Sequence, residues 1–230
     1  MMKINIQKPN PALISIFEDP NRMITLDANF LIPPYRKHAN RGFSFSQFKE
    51  VWLDPIFSAF PNLAIHEAVY EELLQSSVQN YVKDLLGEKP AKIILHKDSD
   101  LTSVEEGVRK LIESRDYKLT NYDPVIDNKD DRGEVKSLAY IAAKGLLYFA
   151  AHDYNAIQLV EKAEEWSTGL DNVQAIQMYE LIYYLYTKGL GDNKALRFLY
   201  KYQYYLTKHE KETNLEWGEF IRHMNMFYLS

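Results

Sequence analysis

The sequence predicts a mixed α/β fold with a mainly parallel central sheet and a helical C-terminal extension. From about residue 22 to residue 177, short β-prone or apolar runs alternate with segments of helical spacing, which is typical of βαβ units. After about residue 178 the spacing of apolar residues is helical throughout. We therefore expect one domain over residues 1–180, with its core beginning near residue 22, and an aromatic-rich helical extension over residues 181–230.

Five short runs have the character of strands, because each is apolar or β-branched and is interrupted by turn-forming or polar residues. The first, RMITL, stops at an aspartate, and LLYFAA has the continuous apolar character of a buried strand. We predict strands at residues 22–26, 63–65, 92–96, 146–151 and 173–177.

Helices are predicted where apolar residues recur at helical spacing. In the segment 104–113 these residues are Val104, Val108, Leu111 and Ile112, which fall on one side, and Gly145 is a natural C-cap for the helix before it. The first helix follows an irregular stretch at Pro33-Pro34, and an Asn- and Asp-rich loop separates two later ones. We predict helices at residues 45–60, 66–75, 104–113, 135–144 and 156–166.

Composition narrows the function. The chain has 230 residues, of which 46% are hydrophobic and 26% charged, so disorder is excluded. The absence of Cys excludes thiol catalysis and Cys-ligated zinc. The formal net charge of −5 gives no whole-molecule attraction to nucleic acid or to an anionic membrane. With neither a signal-peptide pattern nor a membrane-span pattern, we expect a soluble cytoplasmic protein that does not contact membranes.

Carboxylates recur at four places that an open parallel sheet could bring together. Asp27 and Asp153 each follow a strand run, Glu72 is on the helix after the second strand, and Asp131 and Glu134 begin the helix before the fourth. Ligands of such sheets collect at the carboxyl ends of the strands. Carboxylates without His or Cys partners suit Mg²⁺ or Mn²⁺. Since the histidines 38, 66, 96, 209 and 223 show no metal-binding spacing, we do not expect a zinc site.

Four of these acids also have a purely structural interpretation, but Asp153 follows a run too apolar for a surface strand, so we expect it to face a ligand cleft. Asp27 could simply end a strand, and Glu72 could belong to a solvated helix face. Asp131 and Glu134 have the spacing of a helix N-terminal capping box, so one could cap while the other binds metal, and the sequence leaves open which. His152, beside Asp153, could contact phosphate or relay a proton, but an ordinary hydrogen-bonded role is the better interpretation.

Four segments in this order resemble the PIN-domain nuclease family. They are LDANFLI (26–32), AVYEELL (68–74), DRGEVKSLAYIAAKG (131–145) and FAAHDYNA (149–156). The resemblance spans about residues 22–180 and implies a three-layer α/β/α PIN-like fold. It also implies that Asp27, Glu72, Asp131 or Glu134, and Asp153 bind the metal, with Asn29 as a helper.

The resemblance implies a metal-dependent nuclease that usually cuts single-stranded or structured RNA. Metal ions held by the carboxylates would activate water and neutralise charge on the scissile phosphate. Packed carboxylates repel one another without metal, so at least one should have a raised pKa. We expect a Mg²⁺- or Mn²⁺-dependent endoribonuclease, with DNA as the other substrate left open. The alternative is a non-catalytic PIN-like scaffold that binds RNA or protein.

The C-terminal extension combines tyrosines with basic residues. Eight of the 17 Tyr lie between residues 179 and 205, and residues 186–211 carry six Lys or Arg against two acids. If this segment is one helix, four basic side chains fall on one side, and we call them the basic stripe: Lys194, Arg197, Lys201 and Lys208. Tyr204 and Tyr205 flank this stripe. Such a surface can hold phosphates and stack on bases, so it is a candidate RNA groove. The alternative is an amphipathic helix whose Tyr rings pack inside the protein or on a second copy. An inhibitory protein partner and a homodimer are also left open.

Overall fold

The structure is a computed structural model that describes residues 4, 6–37, 39, 42–74 and 76–229. It is a mixed α/β structure with one five-strand parallel sheet and about 58% helix. The described part of the chain contains the five strands β1 (Ile24–Leu26), β2 (Leu63–His66), β3 (Ile94–His96), β4 (Tyr148–Ala151) and β5 (Gln174–Gln177). All five lie within or beside the predicted runs, so the predicted α/β class with a parallel sheet is confirmed.

The sheet has the order β3-β2-β1-β4-β5, which puts β1 at its centre. Ile24 of β1 is opposite Leu63 of β2 and Tyr148 of β4, and His66 is opposite His96 of β3. Because these strands are parallel and in this register, their carboxyl ends lie along one edge. Asp27 therefore comes to the same edge as the residues that directly follow β2, β3 and β4.

The chain divides into two compact units, and neither corresponds to the linear division at residue 180. The sheet unit comprises the described residues of Asn21–Ile32 and Pro61–Ala175. The helical unit comprises the described residues of Met1–Pro20, Pro33–Phe60 and Ile176–Ser230. The expected C-terminal extension is thus grouped with two earlier segments of the chain. Sequence patterns miss such a grouping because it joins segments that are distant along the chain.

The helices of the sheet unit mostly begin or end within a few residues of prediction, but one was missed. The helix expected over 66–75 ends at Glu72, and its last predicted residue, Gln75, lies outside the described residues. The missed helix is α5. The helices are α4 (Glu67–Glu72), α5 (Ser76–Gly87), α6 (Ser103–Asp116), α7 (Arg132–Ala143), α8 (Tyr154–Glu161) and α9 (Ala163–Trp166).

Helix α6 packs against α7 with a face that its apolar pattern does not predict. Ile112 is buried, but Val104, Val108 and Leu111 are exposed. The buried face instead contains Arg109 and Asp116, spaced three and four residues from Ile112. The helix was predicted correctly, but its apolar residues do not mark the packed side.

The helical unit contains α1 (Pro11–Glu18), α2 (Phe45–Phe48), α3 (Asp54–Ala59), α10 (Met178–Thr187), α11 (Asn193–Tyr204), α12 (Lys208–Thr213) and α13 (Trp217–Tyr228). A π-helical turn, Lys49–Leu53, joins α2 to α3, so the helix predicted over 45–60 is continuous. Helix α1 was missed. No helix among the described residues has both the length and the apolarity needed to cross a membrane.

The C-terminal tyrosines form the core of the helical unit. Tyr179, Tyr183, Tyr200 and Tyr204 are fully buried, and the Tyr200 ring stacks on Phe220 with ring centroids 4.5 Å apart. The hydroxyl of Tyr204 accepts a hydrogen bond from the backbone N–H of Tyr179 at 3.2 Å. The surplus of tyrosine is therefore explained mainly by packing.

Candidate functional site

A cleft of about 290 Å³ in the sheet unit brings together most of the predicted site residues. Its lining includes four carboxyl side chains, one amide and one cation. These residues, with the apolar ones between them, are Asp27, Ala28, Asn29, Ile32, Glu72, Leu74, Lys129, Asp131 and Glu134. The cleft therefore contains a strong excess of acidic groups, from three separate segments of the chain.

Asp27 is placed in the cleft by the end of β1. Its backbone N–H donates to Ala150 of β4 at 2.9 Å, which continues the strand pairing up to this residue. Its side chain begins a short 3₁₀ turn and accepts hydrogen bonds from the backbone N–H and the side-chain amide of Asn29, at 3.3 and 2.9 Å. Asn29 thus orients the Asp27 carboxylate.

Glu72, at the end of α4, reaches across to the first turn of α7. Its Oε1 accepts a hydrogen bond from the backbone N–H of Gly133 at 2.7 Å. The neighbouring Glu71 points elsewhere and pairs with Arg132 at 2.9 Å. Of these two neighbours, Glu72 is the one that lines the cleft.

Neither Asp131 nor Glu134 caps α7, so the capping-box interpretation is wrong. Asp131 precedes the helix in a left-handed conformation (φ 54°) and makes no side-chain capping hydrogen bond. Its Oδ2 instead accepts from the backbone and side-chain amides of Asn121, at 2.9 and 3.1 Å. The side chain that accepts a hydrogen bond from the start of α7 is instead Glu72 of α4, which bonds the Gly133 N–H.

After Asp27, Glu134 is the most deeply enclosed acid of the cleft. Its side chain lies on the first turn of α7 and the residue is 8% exposed. Its Oε2 is buried and has no hydrogen-bond partner among the residues that the structure describes. A buried carboxylate oxygen without a partner is costly unless the group is protonated or a cation binds to it.

Asp153 does not line the cleft, although its charge acts on it. Its side chain accepts from the backbone N–H of Asn155 at 2.7 Å and thereby caps α8. Its negative charge raises the pKa of both Asp27 and Glu134. Asp153 therefore combines a structural role with a position close to the two most buried acids.

Three acids of the cleft, Asp27, Glu72 and Glu134, have raised pKa values, and the sequence predicts this for at least one of them, but burial is the main cause. Burial raises the pKa of Glu72 to about 7, with smaller contributions from the charges of Asp27 and Asp131. Burial first and repulsion second also raise the pKa values of Asp27 and Glu134. Repulsion between carboxylates is therefore present, but removal from water has the larger effect.

Lys129 is the one cation in the lining of the cleft, and sequence reasoning missed it. It also lines a smaller neighbouring cavity of about 220 Å³, together with Glu71, Glu72, Asp127 and Arg132. Arg132 is neutralised by Glu71 and Asp127, at 2.9 and 3.0 Å. Within the described part of the chain, Lys129 forms no such ion pair.

A second group of side chains, also missed from sequence, lies near the ends of β2 and β3. His66, Glu67 and Asp98 each offer a potential ligand atom, and these atoms lie within 4.8 Å of one another, so the group could hold a metal ion. The signal available in the sequence was His66 directly after a strand run, like the two aspartates. Spacing along the chain does not reveal the group, because the sheet brings residues from two strand ends together.

The hydrogen bonds of this second group already use its ligand atoms. His66 Nδ1 accepts the backbone N–H of Ala68 at 3.2 Å, so a neutral ring carries its proton on Nε2, which faces Asp98 at 3.3 Å. Asp98 also faces Arg109 at 3.5 Å and its N–H donates to Glu67 at 2.9 Å. A metal ion here would have to displace these interactions, whereas Glu134 in the cleft has an unused oxygen.

The basic stripe lies in the helical unit, but the expectation of one helix is wrong, because α11 ends at Tyr204 and Lys208 begins α12. The charges of the stripe are also partly neutralised. Arg197 and Lys201 both face Glu216, at 3.5 and 2.9 Å, and Lys208 faces Glu212 at 3.9 Å. Lys194 is exposed. The expectation that Tyr204 flanks the stripe as a stacking surface is wrong, because this residue is 1% exposed.

Comparison of the chain with protein-family models gave no match, and comparisons with curated proteins and with solved structures gave none either.

Proposed function

We propose that the protein is a Mg²⁺- or Mn²⁺-dependent nuclease with a PIN-like sheet unit, and that it cleaves RNA. The observation that supports this most is Glu134. It is an enclosed carboxylate with an unused oxygen, in a cleft that it shares with Asp27, Glu72 and Asp131. A divalent cation would relieve both the burial cost and the repulsion in this cleft.

The donor set fits a hard divalent cation, since the cleft offers only carboxylate and amide oxygens besides Lys129. Asp27, Glu72 and Glu134 are the principal ligands, with Asp131 and Asp153 near them. The bound ion would supply an activated water and neutralise charge on the phosphate. Asn29 keeps the Asp27 carboxylate in orientation, and Lys129 attracts the phosphate backbone to a cleft that is otherwise acidic. The choice of RNA as substrate is supported by the family resemblance alone.

The central experiment compares cleavage of a mixed RNA pool with Mn²⁺ by the wild type and by Asp27→Asn. We expect cleavage by the wild type and its loss in the variant, because the amide keeps the shape of the side chain but removes the charge. A matched DNA pool distinguishes the two substrates. Absence of cleavage by the wild type, or equal cleavage by both proteins, would contradict the proposal.

Thermal unfolding with Mn²⁺ separates the cleft from the His66 group. A ligand that binds only the folded state stabilises it by about 2.7 kcal/mol at a hundredfold excess over Kd. We expect Mn²⁺ to raise the Tm of the wild type and of Asp98→Asn, but not that of Glu134→Gln. The reverse result would place the ion at His66, Glu67 and Asp98. A full Tm response without cleavage would favour the non-catalytic scaffold.

A further inference from the structure

The approach of Glu72 to α7 is so close that position 133 has no room for a side chain. A Cβ atom on residue 133 would lie 2.6 Å from Glu72 Oε2 and 2.9 Å from its Cδ and Oε1. These distances are below those that real Cβ atoms show. Any residue other than glycine at position 133 is therefore incompatible with the observed place of the Glu72 carboxylate.

The atoms that would clash belong to the end of a flexible side chain and not to backbone. Glu72 is only partly buried, and its carboxylate is held by a hydrogen bond from the Gly133 N–H. A Cβ at position 133 would be accommodated if the carboxylate turned away and gave up that bond. The expected damage is consequently a displaced carboxylate, with the helices still packed.

We propose that Gly133 is a positioning residue, which lets the first turn of α7 hold the Glu72 carboxylate in the cleft. Its backbone N–H fixes one carboxylate oxygen, and its missing side chain leaves the space that the carboxylate occupies. The role of Gly133 in metal binding rests on the proposed function. The contact between Gly133 and the Glu72 carboxylate does not depend on that function.

Gly107 provides a matched control, because it is also a helical glycine of the sheet unit, but a Cβ added to it would meet nothing within 4 Å. We expect Gly107→Ala to raise the Tm slightly, through better helix propensity, and to keep the full Mn²⁺ response. Gly133→Ala should lose the Mn²⁺ response as completely as Glu72→Gln does, while it remains folded in the absence of metal. Adding Gly133→Ala to Glu72→Gln should then cause no further loss.

A comparison without metal distinguishes the proposed metal site from the proposed role of Gly133. In a Glu72→Ala background the clash and the hydrogen bond are both gone, so Gly133→Ala should raise the Tm as Gly107→Ala does. In the wild-type background it should not. If the wild type shows no Mn²⁺ response but this difference is found, the metal site fails and the positioning contact stands. A Gly133→Ala variant with a full Mn²⁺ response and a Tm gain equal in both backgrounds would overturn the role of Gly133.

Discussion

Two acids of the sheet unit are buried without adequate partners, and they differ in what surrounds them. Glu134 lies in a cleft beside three other carboxyl groups, where several carboxylates can bind one cation. Asp116, the last residue of α6, is 0% exposed, and neither of its oxygens has a hydrogen-bond partner among the described residues. It does not line the cleft. The first arrangement supports the proposed cation, and the second indicates a carboxyl group that is protonated when the protein is folded.

Asp116 should make the stability of the protein depend on pH. Burial raises its pKa from 3.8 to about 8, so between these values the folded state holds a proton that the unfolded state has released. The free energy of unfolding must then fall as pH rises from 4 to 8. Between pH 5 and pH 8 we expect a loss of roughly 3 kcal/mol from this group, measured by chemical denaturation.

The control for this prediction is Asp116→Asn, whose amide cannot ionise. Its denaturation curves should depend less on pH than those of the wild type, although the raised pKa values of Asp27 and Glu72 leave a dependence of the same sign. Equal pH dependence in the two proteins would show that Asp116 has a partner in solution.

At the scale of elements, the charges of α11 are balanced by the start of α13. Glu216 faces both Arg197 and Lys201 and also accepts the Gly218 N–H that begins α13. Exposed ion pairs of this kind contribute little stability, so the two cations remain able to exchange Glu216 for phosphates. The basic stripe therefore has a built-in acidic competitor.

Two opposite substitutions test the basic stripe as an RNA surface. Replacing Lys194, Arg197 and Lys201 by Ala together should weaken RNA binding and reduce the slope of log K against log salt by about 2. Glu216→Gln should strengthen binding, since it frees two cations while its amide oxygen can still cap α13. Binding assays over a salt series check both. Unchanged affinity in the two variants would leave packing as the only role of α11.

The sequence predicts well those elements whose signal is local. The positions of Asp27 and of helix α7 could be predicted because the end of a strand and the start of a helix are marked by recognisable residues. The role of Asp131 could not be predicted, because its left-handed backbone depends on the loop bond to Asn121. The Gly133 contact was likewise hidden, since it depends on how closely α4 and α7 approach.

At the scale of the whole molecule, the helical unit is held together by contacts between distant segments. Arg36 donates to the Gln203 carbonyl at 2.7 Å, and its guanidinium pairs with the buried Glu210. Its backbone N–H donates to the Tyr202 hydroxyl at 3.2 Å. Arg36 thus connects the segment Pro33–Phe60 of this unit to α11 and α12. Sequence patterns could not reveal the contact, because nothing local marks Arg36.

Arg36→Ala should destabilise the protein by roughly 3 kcal/mol, because it leaves Glu210 buried without its cation. Urea denaturation measures this change. Lys110→Ala is the control, since it breaks the exposed Lys110–Glu106 pair within one helix and should cost no more than about 0.5 kcal/mol. Similar losses in the two variants would mean that the Arg36 contacts add nothing beyond a surface ion pair.

The central place of β1 in the sheet has a consequence for how the chain acquires its site during synthesis. Asp27 leaves the ribosome early, but β4, which pairs with β1, and the acids of α7 follow only after most of the sheet unit has been made. Pairing across so long a stretch raises the contact order and slows folding. The cleft cannot form until α7, which carries Glu134, has emerged. Under the proposed function, a chain that ends before α7 should therefore show no Mn²⁺-dependent RNA cleavage.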